Sequence, residues 1–213
     1  MPGSPEGWRD RLSRPATEVA PHLLGAVLRH ETSEGAVAVR LTEVEAYAGA
    51  EDPGSHAFRG RTPRTEVMFG RAGHLYVYFT YGMHYCCNVV VGPEGTASAV
   101  LLRAGEVVEG VELARARRPR STDRDLARGP ARLCSALAID SRHNGAALDE
   151  GALTLVLGEP PAPERVATGP RVGLRLAADH PWRFWLSGEP SVSAYRPAVP
   201  RPSRARRGTM RQA

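Results

Sequence analysis

The chain contains no lysine; every one of its 28 Lys-plus-Arg residues is an arginine. No side-chain Schiff base can form, so any covalent amine chemistry falls to the α-amino group. Cysteines are few and odd in number: Cys86, Cys87 and Cys134, without CxxC spacing. They fit neither a disulfide scaffold nor a zinc or iron–sulfur site, and suit a reducing compartment, so a cytoplasmic location is expected. No long apolar run reads as a membrane span, and the N-terminus lacks the basic-then-apolar pattern of a signal peptide. The sequence has no GxxxxGK[ST], GxSxG or HExxH motif. The HxE…PCxxC pattern of zinc deaminases is also absent. No metal and no cofactor is expected.

What is present fits one globular domain. With 213 residues and 42% hydrophobic composition the chain can bury a substantial core. Its net charge of +5 is unevenly spread. Six arginines and no acid lie between 196 and 213, so residues 1–195 carry a net charge of −1. A second basic cluster runs from Arg115 through Arg117, Arg118, Arg120, Arg124 and Arg128 to Arg132. Such clusters suit a polyanion, and a solvated tail in an arginine-rich protein accounts for them equally well.

Read in order, residues 1–13 look like a flexible arm, 14–195 form the domain, and 196–213 form a basic, Pro/Arg-rich tail expected to be disordered. Helical patterns cover Pro15 to Leu28, Val107 to Arg118, and the stretch opened by Gly129-Pro130. Strand patterns cover Val37 to Tyr47, His74 to Tyr81, Tyr85 to Val91, Ser98 to Arg103, Leu153 to Leu157, Arg171 to Leu174 and Arg183 to Leu186. Hairpin-linked strands with grouped helices imply an α+β fold, a single compact domain on an antiparallel β-sheet.

One strand breaks its own pattern. In Val37, Val39, Leu41, Glu43, Glu45, Tyr47 the odd positions pass from apolar residues to two carboxylates. If alternation holds, both carboxylates face the same side as the valines, which costs several kcal/mol, order of magnitude, unless they are paired or functional. Glu45 reads either as a buried partner of an arginine such as Arg103 or as a group that activates water. Tyr47 shares its face and His56 sits in the following loop. Tyr76 and Tyr78 share one face of the next strand, where core packing is the plain alternative to ligand stacking. Tyr81 sits beside Gly82 at a hairpin tip, a position core packing explains poorly, and would make a wedge for a nucleic-acid stack. Asn88 needs hydrogen-bond partners on its apolar face, or inspects a ligand's edge.

The motifs Thr42-Glu43-Val44-Glu45-Ala46-Tyr47, Glu51-Asp52, His56, Arg61-Thr62-Pro63-Arg64, Met68-Phe69, Gly73 to Met83, Asn88 and Val100 to Ala104 follow one another in the order and near-spacing of a known family. The chain closely resembles bacterial alkyladenine (3-methyladenine) DNA glycosylases over about residues 15–195. The resemblance implies a curved sheet similar to the C-terminal domain of methionyl-tRNA formyltransferase. It implies hydrolysis of the N-glycosidic bond of 3-methyladenine, 7-methylguanine, hypoxanthine or ethenoadenine in double-stranded DNA by a monomer. By the same resemblance Glu45 is the catalytic carboxylate that deprotonates water and Arg103 helps hold that water. Tyr47 and His56 lie against one face of the flipped base, and Tyr78 against the other. Asn88 crowds the amino group of normal guanine, and Tyr81 fills the gap in the duplex. Thr65 departs from the asparagine common in the family. The competing class is a non-catalytic nucleic-acid-binding module, against which a carboxylate facing a polyanion counts. Without lysine, a glycosylase here would be monofunctional.

Overall fold

A computed structural model describes residues 5–198. Its elements are α1 (Pro5–Leu12), α2 (Ala16–His22), β1 (Val27–Thr32), β2 (Gly35–Ala48), β3 (Leu75–Thr80), β4 (His84–Val91), β5 (Ser98–Glu109), α3 (Val111–Arg117), α4 (Pro130–Ala136), β6 (Leu153–Val156), β7 (Val166–Gly169) and β8 (Arg183–Leu186). All strand pairings are antiparallel, in the order β3-β4-β5-β2-β1-β6. The first half of β2 pairs with β1; at Glu43–Glu45 it pairs instead with β8, which in turn carries β7. The result is one compact α+β domain on an open sheet with β2 at its centre.

The two faces of the sheet are covered differently. Val37, Val39, Leu41, Val89, Val100 and Leu102 join a core with Leu12 of α1, Val19 and Ala20 of α2, and Leu133 and Leu137 at α4. Each fully buried leucine or valine there contributes about 1.5–3 kcal/mol. On the other face Tyr76, Val90 and Ala99 pack with Ala57 and Met68, which belong to the long segment between β2 and β3.

Several boundaries differ from the sequence expectation, each for a local reason. Residues Pro5–Leu12 are helical, because Leu12 enters the core and the Trp8 indole donates to the Leu155 carbonyl at 3.0 Å. The helix after Pro15 stops at His22, and Val27 and Leu28 open β1. Strand β5 runs on to Glu109, so helix α3 starts at Val111 rather than Val107. The break is Gly110, at φ +70°, where a Cβ would run into the Ala36 carbonyl. Arg171 to Leu174 is irregular, and the strand before β8 is Val166–Gly169 instead. The basic tail lies almost wholly outside the described residues.

The largest correction concerns β2. Between Leu41 and Glu43 its partner advances only from Gly105 to Ala104, so Thr42 is an extra residue. Between Glu43 and Val44 the partner skips Arg103. These paired bulges switch the phase of the strand. Val37, Val39 and Leu41 are followed into the core by Val44 and Ala46, not by Glu43 and Glu45. The two carboxylates therefore leave the valine face, contrary to simple alternation.

Candidate active site

The bulges give Glu43 and Glu45 different environments. Both are fully buried. Glu43 is saturated: its Oε1 accepts from Arg183 Nε at 2.6 Å, Arg103 Nε at 2.9 Å and Ser193 Oγ at 3.0 Å, and its Oε2 from Ser193 N–H at 2.7 Å. Glu45 accepts from the Val172 N–H at 2.8 Å and the Tyr47 hydroxyl at 2.9 Å. Its nearest guanidinium nitrogen, Arg103 Nε, is 3.6 Å away. Arg103, expected as a partner of Glu45, stands within ion-pair distance of it but gives its hydrogen bond to Glu43.

Burial pushes the Glu45 carboxyl above the usual range, against the opposing pull of Arg103, the Val172 N–H and the Tyr47 hydroxyl. Burial and the neighbouring Glu45 also keep the Tyr47 phenol protonated, so it can only donate to that carboxylate.

Glu45 lines a cavity of about 350 Å³ that Arg103, Tyr47, His56, Tyr78, Asn88 and Tyr81 also line. The seven residues to which the family resemblance gives roles thus meet in one place, with Tyr76 beside them and Glu43 outside the cavity lining. They come from β2, the following loop, β3, the β3–β4 turn, β4 and β5. Tyr76 and Tyr78 stack at 5.7 Å, on the face that alternation assigns them. His56 stands edge-on to Tyr78 at 4.6 Å, and its Nδ1 is 3.2 Å from the Tyr76 hydroxyl. Burial, helped by the charge of Arg64, lowers the His56 pKa to about 4, so the ring is neutral near pH 7. Burial raises the Tyr76 pKa, so its phenol keeps its proton and shares one hydrogen bond with Nδ1 of the neutral ring. Asn88 is buried, and its amide donates to the Tyr76 carbonyl at 3.2 Å.

Tyr81 is different in kind. It is 88% exposed and holds φ +52° at the tip of the β3–β4 hairpin, with Phe79 and Met83 exposed beside it. A bulky residue in the left-handed region is uncommon and strained.

The second wall of the cavity has no local signature in the sequence. Val172, Gly173 and Leu174 line it, from the segment expected to be a strand. Arg171, 1% exposed, pairs with the fully buried Asp52 and stacks over Tyr47. Burial acts to raise the Asp52 pKa, but the Arg171 hydrogen bonds and charge outweigh it and lower the value. The detectable signal was Asp52 itself, an acid in an Asp-Pro-Gly turn with an arginine far away in sequence. The basic cluster also changes meaning. Arg115 bonds Asp123 and Glu112, Arg117 reaches Glu34, and Arg124 and Arg128 reach Asp125. Much of its charge is answered locally.

Chemically, an aromatic cavity with a buried, raised carboxylate can take a flat ring and direct water at a bond beside it. That arrangement defines a candidate hydrolase of ring-bearing substrates. A family model described as "Methylpurine-DNA glycosylase" matches residues 10–190. The chain belongs to the methylpurine-DNA glycosylase family. It is 55% identical over 198 residues to a Streptomyces avermitilis protein named "Putative 3-methyladenine DNA glycosylase", covering 91% of this chain and 93% of that one. Proteins with the same name from Leifsonia xyli and Frankia casuarinae are 56% and 52% identical, over 88% and 91% of this chain and 92% and 94% of theirs. No described helix is long and apolar enough to cross a membrane.

Proposed function

We propose that this protein removes damaged purines from duplex DNA by hydrolysing their N-glycosidic bonds. The substrates are alkylated or deaminated purines: 3-methyladenine, 7-methylguanine, hypoxanthine and ethenoadenine. The observation that carries this reading is Glu45, a fully buried carboxylate lining an aromatic cavity, held by two hydrogen bonds and 3.6 Å from Arg103, whose hydrogen bond goes to Glu43 instead.

In this mechanism the damaged nucleotide swings out of the stack, which costs a few kcal/mol, order of magnitude, and least where the lesion already weakens pairing. Stacking against the aromatic side chains of the cavity, with Tyr47 on one wall and His56 and Tyr78, whose ring centroids are 4.6 Å apart, together on another, returns about 1–3 kcal/mol per base. The two magnitudes nearly balance, so small differences between damaged and normal bases decide capture. A methylated, cationic purine favours electron-rich rings and is a good leaving group. Glu45 takes a proton from water and stabilises positive charge on the sugar, while Arg103 helps hold that water. Asn88 crowds the amino group of normal guanine. Tyr81 occupies the gap left in the duplex, a role to which its exposure at the tip of the hairpin is suited. The protein acts as a monomer, with 14–195 as the glycosylase domain. Its likeness to the formyltransferase C-terminal domain belongs to the same proposal.

With no lysine in the chain, we propose a monofunctional enzyme that leaves the DNA backbone intact. Release of free base from methylated and hypoxanthine-containing duplexes is the test, run with borohydride present and absent. Free base without a trapped protein–DNA adduct is expected. Failure to release base from either duplex rules out the hydrolytic reading, and an adduct rules out the monofunctional one.

A further inference from the structure

We propose that Asp52 and Arg171 form a positioning clamp for Glu45, holding the 171–174 segment so that the Val172 N–H meets the carboxylate. This deepens the hydrolytic reading above and rests on it.

The segment has no strand or helix to hold it. Its backbone ties are the Val172 N–H to Glu45 and the Gly173 N–H to the Arg196 carbonyl. The Arg171 side chain supplies the rest. Its Nη1 donates to Asp52 Oδ2 at 2.5 Å and to the Ala46 carbonyl at 2.9 Å; its Nη2 donates to Asp52 Oδ1 at 2.8 Å. The bond to Ala46 fixes the segment to β2 one residue from Glu45. The guanidinium lies over Tyr47 at 4.6 Å and Trp182 at 5.0 Å. Asp52 is itself held by its own turn, accepting from the Gly54 N–H at 2.8 Å and the Ala48 N–H at 3.3 Å. Both ends of the clamp are therefore fixed by independent bonds.

Gly54 completes the fit. A Cβ there would lie 2.8 Å from both Arg171 Nη2 and Leu174 Cδ1. The position lacks a positive φ, so a larger residue there meets no backbone strain but must displace the Arg171 guanidinium or the Leu174 side chain.

A buried ion pair is weak evidence for stability, since desolvation offsets much of its attraction. What this pair does geometrically is more specific. Glu45 faces Glu43 and Tyr47 on its own strand, Arg103 from β5, Tyr78 from β3 and Cys86 from β4, with Arg183 of β8 opposite it in register. Both arginines bond Glu43. The Val172 N–H is thus one of the two groups hydrogen-bonded to Glu45, and the clamp sets its place. Losing it removes a donor that favours the ionised carboxylate, so the Glu45 pKa rises.

The test compares wild type with Gly54→Ala and with the double variant Asp52→Asn/Arg171→Gln. Both variants keep the clamp's charge balanced, so no lone guanidinium field enters the reading. Single-turnover base release is followed against pH on a 7-methylguanine duplex. The expected result is an acid limb displaced upward by about one pH unit, which makes release about tenfold slower on that limb. Lesion binding is retained. The Glu45 carboxyl is also titrated by 13C NMR in the DNA-free proteins, assigned with Glu45→Gln, and should move in the same direction. An unmoved limb and an unmoved carboxyl in folded Gly54→Ala, with only a lower Tm, would overturn the clamp; if the double variant does not fold, Gly54→Ala decides alone. A displaced carboxyl with no base release by wild type would leave the clamp standing and remove the hydrolytic reading instead.

Discussion

Arg103 bonds Glu43: its Nε is 2.9 Å from Glu43 Oε1 and 3.6 Å from Glu45 Oε1. Glu43 thereby occupies the cation that would otherwise settle against Glu45. Replacing Glu43 by Gln removes a negative neighbour of Glu45 and frees Arg103 to approach it. Both changes favour the ionised carboxylate, so the Glu45 pKa falls and the acid limb of base release moves to lower pH. That direction is opposite to the one expected for clamp variants. Glu43→Gln also leaves Arg103 and Arg183 without their carboxylate, at a cost of about 3–5 kcal/mol. A pH–rate profile with a urea melt reads both; an upward displacement of the limb would contradict the assignment of Glu43.

Tyr81 is strained and solvent-exposed, so its packing contributes little to folding. Tyr81→Gly suits φ +52° better and should leave Tm unchanged or raised. Lesion-duplex binding should weaken by about 1–3 kcal/mol, the scale of one lost stacking contact. Equal affinity of the two proteins for a hypoxanthine duplex would remove Tyr81 from the role of wedge.

His56 couples the site to stability. Its pKa is about 4 in the fold against an ordinary 6.5. A depressed value means the unfolded chain binds the proton first, so its contribution is complete above about pH 6.5 and is lost as pH falls through about 4. Urea midpoints should therefore drop between pH 7 and pH 4.5 more steeply for wild type than for His56→Gln. Parallel declines would place the neutral imidazole outside the fold's requirements.

Much of this was legible in sequence because it is local. The alternation of β3, the Tyr81-Gly82 turn and the Gly129-Pro130 helix start each depend on a few adjacent residues. The phase switch at Thr42 was not, because a bulge is fixed by the partner strand and by the need to seat Glu43 against Arg103 and Arg183. The conflict between apolar positions and carboxylates located the bulge without revealing its form. The Asp52–Arg171 pair was hidden for another reason: 119 residues separate its members, and no periodicity links them. Helix α1 was missed because its stability comes from tertiary contacts of Leu12 and Trp8, not from its own weakly patterned sequence.

Five of the seven arginines of residues 115–132 reach an acid, although Asp125 serves three of them, and residues 1–195 carry a net charge of −1 against +6 for 196–213, so the tail is a main source of uncompensated charge in the sequence. Deletion after Tyr195 should lower DNA affinity in low salt and flatten its salt dependence, with little effect on single-turnover chemistry. An unchanged salt slope would show that the tail takes no part in binding.

In the proposed reaction the role of Glu45 lies in breaking the bond, not in folding or binding. It is tested most directly by single-turnover release of base from a 7-methylguanine duplex by Glu45→Gln, with lesion binding measured on the same protein. Loss of general-base function predicts release slower by about 10²–10⁴-fold, with binding retained. Release at the wild-type rate by a folded Glu45→Gln would contradict the account.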